Sequence, residues 1–244
     1  TLKLPSFRVL FFSGIIFATL AGIVQTLLVH VATYVFEFKP EQLAGLAGSL
    51  IVGIFFASWV AQSLSRRVDK RNALAICAIL GGAFAFSPQI LYFGGLLEHM
   101  SVGLKFGFVF SVNGLSHIFF IAYVILIDSM LSDVIDEHEL HSHRREEGLF
   151  FAARAFSTKA SFGLGAFFGG VGLDIIQFPA GATPATVSSE AVFKLAVLSG
   201  PLMFILFAAT VLVSARYPLT AAKHSDILSA IKLRHRATSL HVND

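Results

Sequence analysis

Arg154 and Lys159 are the residues with most chemical consequence, because both lie inside an apolar run from Gly148 to Phe178. A charged side chain at the centre of a bilayer-spanning helix costs about 2.5–3.5 kcal/mol on insertion scales. Lys159 stands eleven residues from Gly148, about 16 Å along a helix at 1.5 Å per residue. From that depth it cannot easily reach the interface, so it is expected to face a water-filled cavity or a carboxylate. Arg154 is only about 9 Å in, near enough to snorkel or to form a structural ion pair. Neutral polar groups elsewhere in apolar runs are few: Gln25, His30, Gln89, Asn113 and His117. Asn113 and His117 are four apart and so share a helical face, suited either to hydrogen-bonding a polar solute or to interhelical bonding.

The stretch from Asp128 to Glu147 contains DEHELHSHRREE. His138, His141 and His143 invite a metal-dependent membrane enzyme as an alternative function, or a noncatalytic six-helix scaffold. The zinc-protease spacing HExxH fails by one residue, since Ser142 stands where the second His is needed. A second reading has Asp133, Asp136 and Glu137 pairing with Arg66, Arg67, Lys70 or Arg71 of another loop on the same side, as a latch. No nucleophile elbow or phosphate-cradling Gly loop is present.

The elements that carry these residues must be lipid-embedded helices. Of 244 residues, 55% are hydrophobic and 14% charged, against about 25% charged in a typical soluble domain. Six runs reach the roughly 20 residues that a helix needs to cross hydrocarbon: Phe7–Phe36, Leu43–Leu64, Ala73–Leu97, Val102–Leu131, Gly148–Phe178 and Ala191–Ala215. The expected fold is an all-α integral membrane bundle of six transmembrane helices over residues 1–219, followed by a cytoplasmic tail at 220–244. An even number of spans puts both ends on one side. With that side cytoplasmic, it holds 13 of the 18 Lys and Arg: Lys3, Arg8, Arg66, Arg67, Lys70, Arg71, Arg144, Arg145, Arg216, Lys223, Lys232, Arg234 and Arg236. This satisfies the positive-inside rule. The formal charge of +3 is therefore topological and no sign of nucleic-acid binding.

Small residues at i+4 spacing, Ser49, Gly53, Ala57 and Ala61 on one helix and Ser161, Gly165 and Gly169 on another, predict close helix contacts. Pro88 and Pro201 predict kinks. The tail predicts either a short helix from Asp226 to Arg234, with Ile227, Leu228 and Ile231 on one face and Lys232 and Arg234 on the other, lying on anionic lipid headgroups, or a frayed end.

The stretch SDVIDEHELHSHRREEGLFFAARAFSTKASFGLGAFFGG resembles a signature of the melibiose-permease-like glycoside–pentoside–hexuronide cation symporter family, within the major facilitator superfamily. Asp133 and Asp136 match its paired acids, Arg145 and Gly148 its Arg-x-x-Gly, and Lys159 its intramembrane Lys. LSRRVDKRNAL resembles the basic turn between the eighth and ninth helices of that family, with Asp69 where Gly is usual. The resemblance implies the C-terminal half of a twelve-helix transporter in the cytoplasmic membrane. Its partner would be an N-terminal six-helix half outside this chain, its cargo a small sugar or glycoside-like solute, and its coupling ion Na⁺ or H⁺, with no cofactor. The resemblance implies Lys159 as a cavity residue and Asp133, Asp136 and Arg145 as cytoplasmic-gate residues; beside it, the residues themselves offer Asn113, His117, Gln25 and Arg154 for the cavity and Arg66, Arg67, Lys70 and Arg71 for the gate.

Overall fold

The computed structural model describes residues 4–97 and 99–242, with side chains as far as 235; Lys3 and the side chain of Arg236 lie outside the described residues. Among those residues every regular element is helical: α1 (Pro5–His30), running on through a π-turn at Val31–Val35, α2 (Pro40–Ser65), α3 (Lys70–Phe93), α4 (Val102–Ser142), α5 (Glu147–Ile175), α6 (Ser189–Ser199), α7 (Pro201–Ser214) and α8 (Ala221–Val242). Local chemistry sets several starts. Pro5, Pro40 and Pro201 open their helices, where the missing N–H costs nothing. Ser101 and Ser188 cap α4 and α6 by accepting from the backbone N–H of Leu104 and Ala191.

Five segments are long and apolar enough to cross a membrane: Pro5–Val35, Pro40–Ser65, Lys70–Phe93, Val102–Ser142 and Ser189–Ser214. Six spans are expected from the sequence, and the remaining one, α5, has the length, at 29 residues. It carries Arg154 and Lys159 along with several polar residues. It nevertheless runs parallel to α1, from Phe150 against Phe7 to Gly169 against Thr26, and so crosses whatever layer α1 crosses.

Two tight helix pairs organise the bundle. In the α1–α5 pair, a Cβ on Gly165 would stand 3.0 Å or less from the Thr19 backbone, and one on Gly22 would meet the Ala166 backbone nitrogen at 2.9 Å. In the α2–α4 pair, a Cβ on Gly53 would come within 2.5 Å of the His117 Cβ. The two small-residue ridges are the packed faces, since Ser49, Gly53, Ala57, Ala61, Ser161, Gly165 and Gly169 are all buried. Bringing backbones this close is how helices associate where lipid offers no hydrophobic contrast. Behind the two pairs α3 meets α7, with Gly82 making room for the Phe207 ring.

Two expectations change. Pro201 does more than kink the sixth span. Gly200 precedes it with φ −103° and ψ −93°, and the helix breaks into α6 and α7. A proline removes one internal hydrogen bond, and the glycine before it leaves the chain free to leave helical geometry altogether. Pro88, by contrast, stays inside a continuous α3, where the Ser87 hydroxyl donates to the Phe84 carbonyl at 2.8 Å and so serves the acceptor that proline strands. The tail helix begins at Ala221, before Asp226, and its apolar side meets protein. Ile231 is buried, and Arg234 sits on the packed side, bonded to Glu139 of α4.

Candidate functional site

α4 is 41 residues long, about 60 Å at 1.5 Å per residue, twice the hydrocarbon thickness. Its last eleven residues, 132–142, continue past the apolar run that ends at Leu131 and present acids at one end of the bundle. Asp133 takes both oxygens to Lys70 Nζ at 2.7 Å. Asp136 accepts from Arg145 Nη1 at 2.9 Å and from His224 of α8 at 3.0 Å. Glu139 pairs with Arg145, Arg234 and His235. The Asp136 and Glu139 carboxylates raise the pKa of Arg145, in that order of importance. Burial, with Asp133 and Glu137 nearby, raises that of Tyr217, whose hydroxyl donates to the Met130 carbonyl. One network thus ties the α2–α3 turn, the α4 extension, the start of α5 and the tail helix together.

Of the basic residues expected here, Lys70 and Arg145 join this network, while Arg66, Arg67 and Arg71 stand exposed outside it. Glu137 takes none of these cations, and its Oε2 is buried without a partner. The three histidines do not converge. His138 meets Glu146, His141 the backbone of its own helix, and His143 the Arg234 guanidinium. Among the described residues no three His, Cys, Asp or Glu side chains are arranged to hold a metal ion.

The cleft between the two tight pairs encloses about 610 Å³ and is floored by α3 and the α6–α7 break. Its walls are mostly Leu, Val, Phe and Ala, with Gln25, Gln89, Asn113 and His117 among them and no Asp, Glu, Lys or Arg. The Ser49 hydroxyl is already donated to the Leu46 carbonyl, with His117 Nδ1 at 3.4 Å. An apolar cleft of this size with a few separated polar groups is the usual form of a small-molecule site.

Neither intramembrane cation lines this cleft. Arg154 pairs with Asp128 of α4 at 2.5 Å, which ties α5 to α4, and also donates to Thr158 of its own helix. Lys159 is exposed on α5, and among the described residues nothing hydrogen-bonds or ion-pairs with it. Gln89 belongs to the cleft although sequence spacing gives no sign of it, because its neighbour across the floor, Gly200, is 111 positions away.

Comparison with known proteins fits this architecture. The chain matches the family described as MFS/sugar transport protein over residues 1–221. It is 25% identical over 227 aligned positions to an uncharacterized symporter of Synechocystis sp., a match covering 76% of this chain and 40% of that protein. The match thus spans about two-fifths of that relative. No solved structure matches it. A multi-pass helical bundle matched along nine-tenths of its length, this chain belongs to the MFS/sugar transport protein family.

Proposed function

We propose that this chain is the C-terminal half of a secondary transporter that moves a sugar or glycoside-like solute by alternating access, coupled to Na⁺ or H⁺, in the cytoplasmic membrane. Both ends of the segment lie on the cytoplasmic side, with the basic α2–α3 turn. The observation that carries the reading is the 610 Å³ cleft, held open between two rigid helix pairs and dotted with neutral hydrogen-bonding groups. A sugar presents hydroxyls to such groups and its C–H faces to the aromatic and aliphatic walls. A second six-helix half would close the cleft from the other side and rock against this one. The relative's description as a symporter supports ion coupling. The test is uptake of carbon-14 labelled galactose, xylose and lactose by the intact transporter in proteoliposomes, with and without an imposed Na⁺ or proton gradient. Gradient-driven accumulation of at least one sugar is expected. Uptake of none in either gradient would sink the reading.

The charge network at the end of α4 serves as the cytoplasmic latch. Asp133 is nearly buried beside Lys70, and breaking such a pair from one side costs about 3–5 kcal/mol. Lys70→Asp alone should cut uptake about tenfold or more, by placing two carboxylates together. The charge-swapped double variant, Lys70→Asp with Asp133→Lys, should recover most of it. A swap as defective as the single variant would mean that the pair does not act as a unit.

A further inference from the structure

The floor of the cleft holds a polar group that the protein leaves unsatisfied. Gln89 lines the cleft near the outer end of α3, next to Pro88. Its Oε1 is buried without a hydrogen-bond partner, and no other bond to its carboxamide exists among the described residues. Burying that oxygen without a partner is unfavourable, which makes this position costly for folding alone. Its surroundings keep space for it. The Cβ and Cγ of Gln89 pass 3.2 and 3.3 Å from where a side chain on Gly200 would begin, so any larger residue at the break would press on it. The other polar group at the floor, the Ser199 hydroxyl, is already donated to the Ala196 carbonyl.

We propose that Gln89 is a solute-reading residue: its carboxamide hydrogen-bonds a neutral hydroxyl of the transported molecule at the floor of the cleft, in the space kept by the bare Gly200. The last torsion of a glutamine is broad and roughly two-fold, so either the oxygen or the nitrogen can be presented. A hydroxyl both donates and accepts, and so fits either end. With no charged side chain on the cleft walls, the group read here is uncharged. The inference rests on the cleft being the solute site.

The discriminating variant is Gln89→Leu, which keeps the bulk of the side chain and removes its hydrogen bonding. It is made in the intact transporter beside Asn113→Leu, and both are read by KM and maximal rate for the labelled sugar taken up best by the wild type among galactose, xylose and lactose, and by thermal midpoint. Gln89→Leu is expected to raise KM about tenfold or more, with a midpoint equal to or above wild type, because a burden on the empty protein has been removed. Gly200→Ala is expected to raise KM in the same direction. An unchanged KM in Gln89→Leu while Asn113→Leu raises it would overturn the role of Gln89 and leave the cleft as the solute site. Unchanged KM in both would overturn the cleft reading along with it, as would a wild type that transports no sugar of the set. A lowered midpoint with unchanged KM would make Gln89 a structural residue and overturn the proposal.

Discussion

Lys159→Ala is expected to abolish nearly all transport, lowering uptake by about two orders of magnitude, while the amount of protein in the membrane stays the same or rises. The second half of this result separates a functional charge from a structural one. Lys159 stands twelve residues beyond the start of α5, about 18 Å along it, on an exposed face with no partner among the described residues. Facing lipid at that depth it would carry the roughly 2.5–3.5 kcal/mol penalty of an intramembrane cation. On the proposed reading, a partner from the opposite half, or water in the translocation path between halves, would remove that penalty. Removing the charge would then ease insertion of α5 while deleting the group that the other half engages. A hundredfold loss corresponds to about 2.7 kcal/mol. Arg154→Ala is expected to behave differently. It would strand Asp128 and loosen α5 from α4, and so lower protein level and uptake together. Measuring uptake per molecule of surface protein for both variants checks the distinction, and a fully active Lys159→Ala would remove Lys159 from the mechanism.

Gly165→Val has the largest expected effect on folding. A Cβ at Gly165 would overlap the Thr19 carbonyl group, with Cα of Thr19 only 3.0 Å away. These are backbone atoms of a helix and cannot turn aside as a side-chain tip does. α5 is held to the bundle chiefly through this seam and by Arg154–Asp128, so separating the two helices costs most of its docking. The loss should exceed about 4 kcal/mol, in the range reserved for severe core disruption. Detergent-solubilised protein is expected to aggregate or to melt at least ten degrees lower. Gly163→Val on the same helix is the control, since a side chain there would meet open space, and it should melt like wild type. Equal behaviour of the two variants would show that the seam is not the structural support of α5.

Most of this fold is legible in the sequence because the properties that determine it are local. Hydropathy runs locate the helices to within a few residues, except at the end of α4, which continues eleven residues past its apolar run, and the i+4 ridges of small residues name the packed faces of α2 and α5. The break at Gly200 is half legible. Pro201 announces a disturbance, but whether it bends or ends the helix depends on the glycine before it and on the packing around both. The tail shows a different limit. Ile227 and Ile231 mark one apolar side of α8, yet the same stripe fits a lipid surface or the flank of α4, and only three-dimensional placement decides. Charges behave likewise. The Asp133, Asp136 and Arg145 motif stands out in the sequence, whereas the partner of Arg154 is Asp128, 26 positions back on a helix whose rotation the sequence does not fix. Gln89 lies furthest from reach, because its significance comes from the cleft and from Gly200 rather than from any neighbour in the chain.

The central claim, that this chain is one half of an ion-coupled transporter with its solute site in the cleft, is tested most directly by counterflow and gradient-driven uptake in the same proteoliposomes. The account predicts that intact transporter accumulates a labelled sugar above the external concentration when a Na⁺ or proton gradient is imposed. It further predicts that collapsing the gradient with an ionophore abolishes accumulation but preserves exchange of labelled for unlabelled sugar. Equilibration without accumulation under either gradient would contradict coupling, and the absence of both uptake and exchange would contradict the transport of sugars by this protein.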